Sequence, residues 1–307
     1  MTLGLRGIVS PMPTPFDGDG NVDEKRLAEL TDFLIQEGVD GLFPLGTTGE
    51  FAFLDKGERK RVLEVVVERA NSKVPVLAGV SDPSPRNVIS FAKDAEDAGA
   101  DAAVATPPYY YRVSEEGLYL HFKEIHEGVS LPLILYNIPE WTHNYVPPSV
   151  VSRLAEEEAI IGVKYTEYNM LNLTEFIESV GRKIAVLTGS DAMAFACLEA
   201  GGAGAVISVS NVAPRAAASI FDLVEASKFK EALSVQKSLL PAIQAVGMGY
   251  FPAGLKEAMK VAGFPVGDVR KPQTPLSTEE KQEVARLMRK ARLKYARPWK
   301  RARRGTR

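Results

Sequence analysis

Ile160-Ile161-Gly162-Val163-Lys164-Tyr165-Thr166 is short, apolar and β-branched, and it reads as a buried strand. It nevertheless carries a lysine near its C-terminal end. Desolvating an ammonium is expensive, so burial favours the neutral amine, the form that attacks a carbonyl carbon to build a Schiff base. Taken alone, the stretch better fits a lysine at a fraying strand end that keeps its nitrogen in water. Its surroundings in the chain decide between the two.

Outward from this strand the sequence alternates. Strand patterns at 7–15, 41–45, 74–80, 102–106, 131–137, 160–166, 183–188 and 203–209 are each followed by a helical pattern. Eight such units in strict alternation predict an α/β fold, a (β/α)₈ TIM barrel over residues 1–226. An open doubly wound sheet is the competing topology, but no G-x-G-x-x-G fingerprint follows an early strand. Residues 227–307 read as a C-terminal helical appendage, wholly helical to about 296 and punctuated at Gly247-Met248-Gly249 and Gly263-Phe264-Pro265.

A hydrophobic share of 45% and a charged share of 25% over 307 residues fit a globular protein. No run of about 18 apolar residues predicts a membrane span. The start, Met1 to Arg6, lacks the regions of a signal peptide, and the single Cys197 excludes an intrachain disulfide, so a cytoplasmic protein is expected. The net charge of -2 is unevenly spread. Arg289 to Arg307 holds ten Lys or Arg and no acid, which leaves 27 basic against 39 acidic residues before it. A basic tail can mark nucleic-acid binding. The preferred reading is a frayed helix end pairing with the acidic body or a neighbouring subunit.

In a barrel, chemistry gathers at the C-terminal ends of the strands. Here those ends carry Gly46-Thr47-Thr48-Gly49-Glu50, Thr106-Pro107-Pro108-Tyr109-Tyr110-Tyr111, Tyr136-Asn137-Ile138-Pro139, Lys164 with Thr166, and Gly189-Ser190-Asp191. Strand alternation sends Lys164 and Thr166 to one face and Val163 and Tyr165 to the other. Each motif has a plain structural use. Threonine caps a helix, tyrosines fill interfaces, and an asparagine satisfies loop backbone. Their joint arrangement favours a site around Lys164. His121 and His126 lie on a predicted helix without a metal-ligand set, so neither a metal nor an organic cofactor is expected.

Over nearly its whole length the chain resembles the class I aldolase family of dihydrodipicolinate synthase and N-acetylneuraminate lyase. The resemblance implies that pyruvate forms an imine with Lys164, with Tyr136 as the proton shuttle and Thr47 relaying the proton. It also implies that Tyr110 comes from a neighbouring subunit of a homodimer or homotetramer. Thr48, Gly46 and the amides of their turn match the carboxylate cradle, and Gly189 and Ile207 match positions lining the pyruvate pocket. The family's synthases carry an arginine where this chain has Trp141, and an indole cannot form its bidentate pair with a carboxylate. The segments at 164–166 and 189–191 look more like the archaeal 2-keto-3-deoxygluconate aldolases, in which a threonine at the place of Thr166 contacts the substrate. An aldolase joining pyruvate to an aldehyde, acting on a 2-keto-3-deoxy sugar acid, is therefore expected. 4-Hydroxy-tetrahydrodipicolinate synthase and a Schiff-base dehydratase are the alternatives. A barrel that only binds metabolites or nucleic acid would not need the relay of Lys164, Tyr136 and Thr47.

Overall fold

The computed structural model describes residues 4–181 and 183–293. The basic tail from residue 294 lies outside the described residues. Eight strands succeed one another in parallel among the described residues: β1 Gly7–Pro11, β2 Gly41–Phe43, β3 Leu77–Gly79, β4 Ala102–Ala105, β5 Leu133–Asn137, β6 Gly162–Tyr165, β7 Ala185–Thr188 and β8 Gly204–Val206. Neighbours pair in the order β2-β1-β8-β7-β6-β5-β4-β3. The remaining seam, between β2 and β3, is joined at Leu42 and Val76, where the Leu42 amide donates to the Pro75 carbonyl at 2.9 Å. The sheet therefore closes on itself as the (β/α)₈ barrel that the alternation predicts.

Among the described residues, nine helices lie between and after these strands up to residue 225: α1 Glu24–Gln36, α2 Lys56–Ala70, α3 Pro85–Ala98, α4 Glu115–Gly128, α5 Pro139–Thr142, α6 Pro148–Glu156, α7 Met170–Val180, α8 Ala194–Glu199 and α9 Pro214–Glu225. Local chemistry sets several of their ends. Asp55 and Glu58 form a reciprocal capping box at the start of α2, and Asn71 closes that helix in the left-handed conformation. Pro85 opens α3, and Gly99, at φ 87°, closes it.

Side-chain alternation divides the core in two. Val9, Phe43, Val104, Ile134, Tyr136 and Leu187 form a cluster inside the barrel. Ile8, Leu42, Leu135, Val163, Tyr165 and Val186 belong to a larger cluster shared with the surrounding helices.

Beyond the barrel come α10 Phe229–Val246, α11 Ala253–Val261 and α12 Thr278–Ala291. The C-terminal stretch is not wholly helical as expected, because residues 264–277 form no helix. Pro265, Pro272 and Pro275 deny that segment the amide donors a helix needs. Leu239, Ala242, Leu255, Met259, Val284 and Leu287 join the same large cluster as the barrel's outer face. Among the described residues, no helix is long and apolar enough to cross a membrane.

Candidate active site

Lys164 and Tyr136 occupy paired positions on β6 and β5. Lys164 is only 5% exposed, and its Nζ lies 3.7 Å from the centre of the Tyr136 ring and 5.0 Å from that of Phe43. Phe43 meets Tyr136 edge to face, with ring centroids 6.1 Å apart. The amine is thus held in an aromatic corner inside the barrel, while Val163 and Tyr165 pack outward. A buried lysine with a phenol beside it is an arrangement that Schiff-base chemistry can use.

At the end of β7, Gly189 makes room for this side chain. A Cβ at Gly189 would collide with Thr166 Oγ1 and come within 2.9 Å of Lys164 Cε. The Gly189 amide donates to the Tyr165 carbonyl at 2.7 Å, which fixes the close approach. Thr166 Oγ1 is buried and has no hydrogen-bond partner among the described residues.

Asp191 is a residue whose charge does not stand out in the sequence. Its carboxylate accepts the Val209 amide at 2.6 Å. Burial pushes its pKa up to about 6, an effect opposed by that amide and by the nearby charge of Lys164. The Gly189-Ser190-Asp191 motif contained the signal, but only the fold shows that the carboxyl is enclosed.

After β2 the chain turns sharply through Leu45, at φ 59°, and Glu50, at φ 55°. Thr47–Gly49 form a single 3₁₀ turn, held by Thr14 Oγ1 donating to the Gly49 carbonyl at 2.7 Å. Thr48 is buried and Thr47 half-buried. Gly79 of β3 lets this turn settle, since a Cβ there would run into the Leu45 carbonyl. Glu50 forms a buried ion pair with Lys256 of α11 at 2.6 Å and accepts the Arg270 amide at 2.8 Å. Lys256 also donates to the carbonyls of Thr14 and Asp268, at 2.9 and 3.0 Å. Burial draws the Lys256 pKa below its usual value against the pull of Glu50. Glu50 closes a motif visible in the sequence, but its partnership with Lys256 is not, because the contact joins positions more than 200 residues apart.

Trp141 is 46% exposed, on the short helix α5. With Thr47, Thr106, Tyr109, Ile138, Phe251 and others it lines a cavity of about 160 Å³ at the same end of the barrel. Lys164 and Tyr136 do not line this cavity, but Ile138 belongs to both its wall and the inner cluster containing Tyr136. Asn144 donates to the carbonyls of Pro108 and Tyr111, both at 2.8 Å, and so ties the loop after β4 to the loop after β5. On that tied loop Tyr110 is 80% exposed at φ 85°, an unusual backbone conformation for a tyrosine. Ile207 is fully buried but packs in the outer cluster, one residue beyond the inward-facing Val206. Asn137, at the end of β5, exchanges hydrogen bonds with the Val146 backbone at 2.7 and 3.2 Å, a structural duty. His121 likewise turns Nε2 to the Thr106 carbonyl, at 3.2 Å.

With this geometry in place, comparison with known proteins identifies the relatives. The model of the dihydrodipicolinate synthetase family matches residues 4–291. The chain belongs to that family. Members of the dihydrodipicolinate synthetase family are lyases of the class I aldolase type, and this chain is an enzyme of that kind. It is 36% identical over 289 residues to a 4-hydroxy-tetrahydrodipicolinate synthase of Geotalea daltonii, covering 94% of this chain and 99% of that protein. YagE, a prophage protein of the same family from E. coli K12 solved with pyruvate, superposes with a TM-score of 0.91 at 33% identity, covering 94% of this chain and 99% of that one. A monomeric dihydrodipicolinate synthase variant superposes at 0.90 with 28% identity, over 94% of this chain and 98% of that one.

Proposed function

We propose that this member of the family forms an imine between pyruvate and Lys164 and joins the resulting enamine to an uncharged aldehyde. The Lys164 amine adds to the carbonyl carbon of pyruvate and water leaves. A methyl proton is then removed, and the enamine carbon attacks the aldehyde carbon. The new alkoxide takes a proton, and hydrolysis of the imine frees a 2-oxo acid and the lysine; cleavage runs the same steps in reverse. Tyr136 is the proton shuttle, Thr47 and Tyr110 complete its relay, and Thr48 with Gly46 receives the pyruvate carboxylate. Gly189 and the backbone of Ile207, whose side chain packs outward, border the pyruvate, and Thr166 and Trp141 face the second substrate. The observation that carries this reading is the enclosed amine of Lys164 opposite Tyr136.

For the second substrate, Trp141 supports a 2-keto-3-deoxy sugar acid as the product cleaved or made. The names of the curated relatives favour a second reading, 4-hydroxy-tetrahydrodipicolinate synthase. A cytoplasmic location, a homodimer or homotetramer, and independence of metals and organic cofactors belong to the same proposal. Borohydride added with pyruvate is expected to leave a reduced pyruvyl mass on Lys164, and Lys164→Ala to lose it. An adduct that persists on Lys164→Ala would move the imine to another lysine. Rates with pyruvate and a panel of aldehydes then separate the two substrates: efficient turnover of aspartate semialdehyde would favour the synthase.

A further inference from the structure

Residues 106–114, between β4 and α4, form neither helix nor strand, and among them Tyr110 takes a left-handed φ of 85°. A non-glycine residue keeps that conformation only where its surroundings impose it. The Asn144 side chain supplies the constraint. Its Nδ2 donates to the Pro108 and Tyr111 carbonyls, both at 2.8 Å, and its Oδ1 accepts the Val113 amide at 3.0 Å. One side-chain amide thus commits its donors and its acceptor to backbone groups on either side of Tyr110. The other end of this tie is anchored. Asn144 is 4% exposed, and Thr142 Oγ1 accepts its amide at 3.4 Å while donating to the Ile138 carbonyl at 3.0 Å. Two residues on, the Val146 backbone is clasped by Asn137, which follows Tyr136 at the end of β5. The barrel is therefore the base of the tie, and the loop is what it places.

The loop divides its tyrosines. Tyr109 turns toward the edge of the Phe51 ring, with centroids 6.2 Å apart. Tyr110 and Tyr111, at 80% and 73% exposure, project from the chain and meet edge to face. A ring held so firmly and yet so exposed fits a contact outside its own chain. We propose that Asn144 is a positioning residue for the reaction, holding Tyr110 in the pose that a neighbouring subunit's active site receives. The inference rests on the reading of Tyr110 as a residue contributed across subunits, and it adds the side chain that sets its placement.

Mixed oligomers test it, because each site then draws Lys164 from one subunit and Tyr110 from another. Asn144→Ala alone should lose kcat by about 100-fold, the cost of a catalytic group misplaced by about 1 Å. Borohydride should still trap pyruvate on its Lys164. Reassembled with Lys164→Ala, the variant should regain activity, since one class of site joins an intact lysine to a Tyr110 that Asn144 still holds. Reassembled with Tyr110→Phe it should regain none, since every site lacks either the hydroxyl or its placement. Asn144→Asp, which keeps the size and the acceptor but not the two donors, should show the same pattern and stands in if the alanine variant does not fold. Recovery with Tyr110→Phe would move the action of Asn144 to its own chain's site and overturn the proposal. Wild-type kcat in Asn144→Ala, or no recovery with either variant although subunits exchange, would overturn it as well. A control isolates the earlier reading: if Tyr110→Phe and Lys164→Ala regain nothing together, Tyr110 does not act across subunits, and both readings fall.

Discussion

Lys164 Nζ lies over the face of the Tyr136 ring, 3.7 Å from its centre, rather than beyond its edge. The two residues are register partners on adjacent strands, so their backbones cannot drift apart without opening the barrel. The ring therefore holds the amine, and the hydroxyl is left for the proton shuttle proposed above.

Tyr136→Phe separates these two duties. The ring remains, so pyruvate should still be trapped on Lys164, though slowly. Turnover should fall by about 10²- to 10⁴-fold, the usual worth of a positioned acid–base group. A variant with near wild-type kcat would remove Tyr136 from the relay.

Gly189→Ala should block the site without unfolding it, because the added methyl meets Thr166 Oγ1 and Lys164 Cε. Trapping of pyruvate should slow at least tenfold. The double variant Gly189→Ala with Thr166→Ala opens space for the methyl and should recover part of that loss. Equal trapping by wild type and Gly189→Ala would show that the packing there is slack.

Tyr110 is exposed on its own chain, and the proposed relay needs it at the site of another. Tyr110→Phe and Lys164→Ala homo-oligomers are each expected to be nearly inactive. Mixed and reassembled, they should regain activity, since some sites then combine both native residues. Exchange of subunits without recovery would confine Tyr110 to its own chain or remove it from the reaction.

A buried imidazole and a partly buried carboxyl push stability in opposite directions with pH. Burial lowers the His121 pKa to about 4 from the ordinary 6.5, so its contribution is present above pH 6.5 and lost as pH falls through 4. Burial raises Asp191 from 3.8 to about 6, so its contribution is present below pH 3.8 and lost as pH rises through 6. Each is worth on the order of 3 kcal/mol, and between pH 4 and 6 they largely cancel. Asp191→Asn should remove the second, so that stability from urea unfolding rises more steeply from pH 4 to 6 than in the wild type. Parallel curves would mean that Asp191 titrates alike in both states.

Trp141→Arg should shift preference toward aspartate semialdehyde. A charge-assisted pair with its carboxylate is worth roughly 1.5–3 kcal/mol, or about ten- to a hundredfold in kcat/KM relative to glyceraldehyde. If Trp141 serves only to pack the loop, both activities should drop together and their ratio should hold.

The strand–helix alternation is legible because parallel strands covered on both faces leave apolar runs of a recognisable length. Even the inward turn of Lys164 comes from the period of two, and Val163 and Tyr165 pack outward as that period requires. The 74–80 pattern shortens to Leu77–Gly79, a difference at the ends of an element, where periodicity says least. The hidden part is long-range. Glu50 closes a motif visible in the sequence, yet Lys256 looks like an ordinary helix-surface residue until the fold removes water from the pair. Across 264–277 the helical patterns on either side mask the proline spacing, and it is the prolines that decide the backbone there.

The Glu50–Lys256 contact makes the eight-stranded unit dependent on α11. A chain stopped at residue 226 would keep every strand, yet would leave the Glu50 carboxylate in the interior without its cation. An orphaned charge of that sort costs roughly 3–5 kcal/mol. The loss would fall first on the Thr47–Gly49 turn that Glu50 terminates. The helix α11 therefore behaves as a keystone for the barrel mouth. Neither a minimal barrel nor a graft of these strands onto another scaffold would inherit the site intact.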